Sequence, residues 1–169
     1  MDAPTYVRKQ IATMRRFYQG TLKEMTDEQF NWIPPGTANS IKASLIHLLA
    51  GEDMNVQRVL QGKPLLWDAE GWNQKIGVEV RPGRDQGWDA IRETTIALAP
   101  VLEYAQAVHA ATDEYLAELT PEELERKVDF FVPDARVADV LSILAVHVAA
   151  HSGEIAALRG IQGVKGLPM

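Results

Sequence analysis

The chain has 169 residues, enough for one domain with a sizeable core, and no cysteine, which excludes disulfides, thiolate metal ligands and a protein thiol nucleophile. Its 17 basic and 23 acidic side chains give a net charge of −6 without blocks of either sign, so no nucleic-acid partner is expected, although Arg15 with Arg16 or Arg81 with Arg84 could form a small basic patch. The N-terminus has no apolar core of signal-peptide type, and the run VADVLSILAVHVAA, interrupted by Asp139 and His147, is too short to span a bilayer, so a cytoplasmic protein without a membrane partner is expected.

From Thr5 to about Glu24 the apolar residues Val7, Ile11, Met14, Phe17 or Tyr18, and Leu22 recur at helical spacing. Thr26 followed by Gln29 is a capping-box pattern for a short turn that Pro34 and Pro35 end, with Phe30 and Trp32 as anchors. Asn39 or Ser40 can cap a second helix running to about Leu60. Its apolar stripe is Ile41, Leu45, Leu48 or Leu49, and Val56. Beside it runs a track of small and polar groups, Ser44, His47, Gly51 and Met54 or Asn55, which suits the lining of a pocket; Gly51 leaves volume beside an imidazole.

The segment 61–84, with four glycines and two prolines, is long enough to cross a bundle and roof a site; Trp67 and Trp72 within it are expected to fold back on the core. Asp85 can cap a third helix from Gln86 to Leu119, with Trp88, Ile91, Thr95, Leu98, Leu102, Ala105, His109, Thr112 and Leu116 on its stripe and Pro100 bending or dividing it. Thr120, Pro121 and Glu123 open another brief turn, and KVDFFVPD reads as extended. Asp134 then caps a fourth long helix to about Arg159, before a glycine-rich end. The fold expected is all-α: a single domain over 1–169, a four-helix bundle with one long crossover connection and short accessory helical turns.

His147 and His151 are spaced i, i+4, which separates them by about 40° around a helix axis and about 6 Å along it, so their rings can converge on one ion. The pair resembles the helical zinc motif without its adjacent glutamate. Neighbours Val146, Val148, Ala149 and Ala150 offer these rings no hydrogen bond, and His47 lies in a similarly apolar helix that could face them. Core or interface histidines bonded to carbonyls or carboxylates are the competing explanation. Glu154 shares the face of the pair and could orient a ring, accept a proton or act as a fourth ligand, whereas Glu52 and Asp53 are turned well away from His47 around their helix. His109 could contact a substrate, but a partly exposed histidine is the simpler expectation.

The text MTDEQFNWIPPG, then NSIKASLIHLLAGED, then HVAAHSGEIAALRG with its glycine-rich end resembles the DinB/YfiT-like superfamily over nearly the full length. That resemblance implies a four-helix bundle, commonly homodimeric, in which His47, His147 and His151 hold a divalent ion, nickel or zinc first and iron or manganese next. It also implies kinship with transferases and isomerases that use small thiols such as bacillithiol or mycothiol. Three neutral imidazoles leave coordination positions open, which favours catalysis over a closed structural site. The expected function is therefore metal-dependent transfer or activation of a small-molecule thiol, with the sulfur arriving on a cosubstrate and Glu154 as first choice for proton handling. A metal-dependent hydrolase acting through water, and a non-catalytic metal- or ligand-binding homodimeric bundle, are the alternatives.

Overall fold

The computed structural model describes residues 1–83 and 86–167. Its long helices are α1 (Ala3–Leu22), α3 (Ile41–Asp53, continued by π-helical turns over Met54–Leu60), α7 (Leu98–Ala117) and α9 (Val137–Ile161). Short helices connect them: α2 (Asp27–Asn31), α4 (Leu66–Ala69), α5 (Trp72–Ile76), α6 (Trp88–Glu93) and α8 (Pro121–Glu125). The architecture is all-α, a bundle of long helices with short accessory ones. α1 lies along α9, α9 along α3, and α3 along α7.

Local chemistry starts these elements where a side chain can take an orphan N–H. Asp2 accepts from the Thr5 amide at 2.8 Å with Pro4 in the first turn of α1, and Ser40, rather than Asn39, accepts from the Ala43 amide to open α3. Thr26 and Gln29 complete their capping box in both directions at α2, and Thr120 accepts from Glu123 at α8. α3 is buried almost all round, from Ile41 through Ile46 and again at Leu48, Leu49 and Ala50, as befits the central helix of the bundle. Leu45 and Leu49 are fully buried, and each contributes about 1.5–3 kcal/mol by leaving water.

The third helical run departs from the sequence expectation. Asp85 and Arg84 lie outside the described residues, and the stretch to Leu119 is not one helix: α6 ends at Glu93 and α7 begins at Leu98. α2 holds this break open. Its Asn31 amide donates to the Ile96 carbonyl at 2.8 Å and accepts from the Ile96 amide at 2.9 Å, while Asp27 accepts from the Leu98 amide at 2.7 Å. Pro100 therefore sits in the first turn of α7, where its missing N–H costs nothing. The restart also changes which residues face inward: Val101, Tyr104 and Val108 join Ala105, Thr112 and Leu116, while Leu102 is only partly buried.

Asp134 does not cap α9. It takes a positive φ of 53° and pairs with Lys127, and Arg136 is the N-cap, its amide donating to Asp139 at 2.8 Å. The extended stretch before it amounts to one antiparallel bridge between Lys127 and Arg136. α9 runs 25 residues and is apolar enough by length and composition to cross a bilayer, so the shortness argued from sequence does not hold. Its central place explains that apolarity, since Val140, Leu141, Leu144, Val148 and Ile155 pack into the core. The segment after Leu60 forms α4 and α5, and Trp67 and Trp72 are buried against Tyr104 with ring centroids 5.4 and 5.7 Å away.

Candidate metal centre

Facing turns of α3 and α9 bring His47, His147 and His151 together in the folded chain. One ligand-capable nitrogen from each lies within 4.8 Å of the other two, and all three side chains are partly buried. The His47 and His147 Nε2 atoms are 3.1 Å apart. Nitrogen–ion bonds of about 2.0–2.1 Å place two ligands about 3.3 Å apart at a tetrahedral angle and about 2.9 Å at a right angle, so the 3.1 Å that here serves as a ring-to-ring hydrogen bond is also a separation two ligands of one ion can take. Gly51 makes the approach possible. A Cβ there would stand 2.8 Å from His147 Cε1, so the volume that glycine frees is taken by the ring arriving from α9.

Groups behind the rings fix which nitrogen carries the proton. His47 Nδ1 is 3.0 Å from the Pro82 carbonyl oxygen, which can only accept, so the proton sits on Nδ1 and the Nε2 lone pair is free. His151 Nδ1 is 2.7 Å from Glu154 Oε2, with the same result for its Nε2. Glu154 is in turn held by the Asn39 amide at 3.4 Å. Hydrogen bonding from His151 holds the Glu154 carboxyl below the usual carboxylate range, with smaller help from Asn39, against the opposing effect of burial. Burial pushes the His147 imidazole down to about 4, aided by the other two rings, and burial likewise lowers His47. Both are consequently neutral at physiological pH, the state in which imidazole coordinates.

Trp88 completes the wall beside His47, with ring centroids 4.9 Å apart, and its indole N–H donates to the Gly83 carbonyl at 2.5 Å. α6 thereby pins Pro82 and Gly83 next to the histidines. A cavity of about 260 Å³ opens there, lined by His47, Gly51, Met54, Arg81, Pro82 and Gln86. Only the end of the 61–84 segment serves the site, since α4 and α5 pack elsewhere.

The donor set fits a divalent transition ion: three imidazoles, two with their second nitrogens already committed, and no competing amine among them. Of the residues singled out from sequence, His47, His147, His151 and Glu154 come together. Glu52 and Asp53 point to the other side of α3, and His109 lies with Glu52 rather than with the triad. Nothing in the sequence marks Pro82, whose contribution is a backbone carbonyl. Trp88 and Asn39 were visible but assigned elsewhere, Trp88 to a helix stripe and Asn39 to a cap.

A profile of the DinB superfamily matches residues 10–155. A conserved protein from Enterococcus faecalis, known from its crystal structure, is similar in fold with a TM-score of 0.78 and 19% sequence identity, covering 94% of this chain and 96% of that one. At such identity the likeness shows the fold alone. No protein of curated function matches the chain.

Proposed function

The chain belongs to the DinB superfamily, and on that premise we propose that it is a divalent-metal-dependent enzyme acting on a small-molecule thiol, with His47, His147 and His151 as the ligands. The observation that carries this reading is the pair of Nδ1 contacts to Pro82 and Glu154, which leave lone pairs turned toward a common point. Core histidines bonded to carbonyls or carboxylates would make those outer contacts too, but would have no need to bring one nitrogen from each of three rings within 4.8 Å of one another. Nickel or zinc is the first expectation for the ion, then iron or manganese. When bound, it would supply a Lewis acid that lowers the pKa of an incoming thiol or water.

The chain's own residues then have distinct tasks. Glu154 acts as a positioning residue: it takes the His151 Nδ1 proton in a hydrogen bond, fixes the tautomer and, being held ionised, strengthens the ring as a donor. Met54, Ala50 and Pro82 give the cavity apolar walls, Arg81 brings a cation to its edge, and Trp88 covers His47 from water. With no cysteine in the chain, the nucleophilic sulfur enters with the cosubstrate. We assign this activity to a cytoplasmic homodimer in which residues 1–169 form one domain.

The test is metal quantitation on the purified chain and on His47→Ala, followed by turnover with a panel of small thiols and electrophiles. One equivalent of ion in the parent, its loss in the variant, and thiol-dependent turnover are expected. Full metal affinity in His47→Ala would overturn the three-histidine site. Ester hydrolysis without added thiol would replace transfer by water chemistry, and metal binding without turnover would leave a binding protein.

A further inference from the structure

A second polar constellation occupies the opposite face of α3. Glu52, buried there, accepts from the Thr112 hydroxyl at 2.7 Å and from Arg15 Nη2 at 3.1 Å, and Arg15 also donates to Asp113 at 2.6 Å. His109 Nε2 is 3.9 Å from the remaining Glu52 oxygen, and its ring meets Tyr18 edge-on with centroids 5.6 Å apart. Tyr18 is buried, and its hydroxyl has no hydrogen-bond partner among the described residues. None of these groups belongs to the metal centre.

Tyr18 and His109 stand between two spaces. Inward lies a void of about 10 Å³ bordered by Glu52, Arg15, Leu48 and Val148, room for one water-sized group. Outward, between α1 and α7, lies a groove of about 290 Å³ walled by Leu22, Leu102 and Ala105, with Gln19, Lys23 and Gln106 around it. An enclosed apolar cavity of about 150 Å³ suffices for benzene; this groove is larger but open on one side, so a monocyclic aromatic fits with one edge toward solvent.

We propose that this groove is a ligand site independent of the metal centre, selective for a small uncharged aromatic molecule that carries a hydrogen-bond donor, phenol being the simplest. The aliphatic walls and the two rings suit an aromatic body, since rings favour edge-to-face partners. The charges nearby are already matched: Glu52 and Asp113 meet Arg15, and Lys23 at the mouth stands 3.7 Å from Glu24, so nothing calls for a charged ligand. Glu52 lies 3.9 Å from His109 Nε2, beyond hydrogen-bond reach, so neither ring nitrogen has a hydrogen-bond partner among the described residues, and the neutral ring lining the groove offers one of them as an acceptor for the ligand's donor. Burial lowers the His109 pKa and keeps the ring in that neutral form.

The experiment titrates the purified full chain with phenol and with toluene, following the His109 ring resonances by NMR. Saturable millimolar phenol binding is expected, with toluene at least about tenfold weaker. Ala105→Leu, which fills the groove, and Gln106→Trp, which covers its mouth from an exposed position without touching the core, should each weaken phenol by at least about tenfold while metal content stays unchanged. His109→Phe should erase the preference for phenol over toluene. Absence of a saturable shift at His109, or undiminished phenol affinity in folded Gln106→Trp, overturns the proposal. Metal content that falls in both groove variants would overturn its independence from the histidine centre.

Discussion

The two faces of α3 carry polar residues six positions apart, His47 and Asp53, and use them in opposite ways. Toward α7, Asp53 accepts from the Leu66 and Trp67 amides, each at 3.0 Å, and from the Tyr104 hydroxyl at 2.8 Å, so it clamps the crossover segment to the bundle. Toward α9, His47 and His151 spend only their outer nitrogens on protein partners and turn the inner ones to a shared point. A buried polar group whose capacity is exhausted by its neighbours holds structure together. A cluster whose outer contacts are satisfied and whose inner lone pairs converge is prepared for something that arrives from outside.

That contrast can be broken by removing one group from each side. His147→Ala should reduce metal affinity by more than about 100-fold, since even loss of a supporting partner costs 10–100-fold, and metal analysis of the folded variant checks it. Asp53→Ala should leave metal stoichiometry intact but destabilise the chain by about 3 kcal/mol, because three buried donors lose their acceptor; denaturant unfolding measures this. Equal loss of metal in both variants would abolish the distinction. Glu154→Gln sharpens it: the fold should persist while metal affinity falls about 10–100-fold, read by competition with a chelator. Gly51→Ala should move the His147 ring and weaken metal binding about tenfold, with a stability cost of about 1–3 kcal/mol from overpacking.

pH gives a separate handle on the same ring. In the folded, metal-free chain the His147 pKa is depressed to about 4, whereas in the unfolded chain it is near 6.5. Between these values the unfolded state binds a proton that the folded state refuses. Stability from this group is therefore full above about 6.5, declines as pH falls toward 4, and levels off below. Thermal melts of chelator-treated protein should show the decline, and His147→Phe should flatten it.

Much of this arrangement was legible in the chain itself. The i, i+4 spacing of His147 and His151, the small residue at Gly51, and the caps at Thr26, Ser40 and Thr120 depend on side-chain type and local spacing, which sequence displays directly. Pro100 announced that the third run would bend or divide, but not that the break would fall at Thr94–Ala97, because that stretch is held by Asn31 and Asp27, more than sixty residues away in the chain. Arg136 as the α9 cap was also hidden, since arginine lacks the short oxygen that marks a helix start and Asp139 supplies it from within the helix. The Pro82 contact was beyond reach for a simpler reason: every residue has a carbonyl, and only the fold decides which one meets a histidine.

The Pro82 bond gives the irregular segment before α6 an unusual dependence. Whatever fixes the His47 ring also fixes the far end of its Nδ1 hydrogen bond, and with it the backbone that Trp88 grips at Gly83. On the proposed reading, filling the site should slow amide exchange across Val78–Gly83 while leaving α4 and α5 at their former rates, so that the strand of chain leading into α6 reports on the histidines.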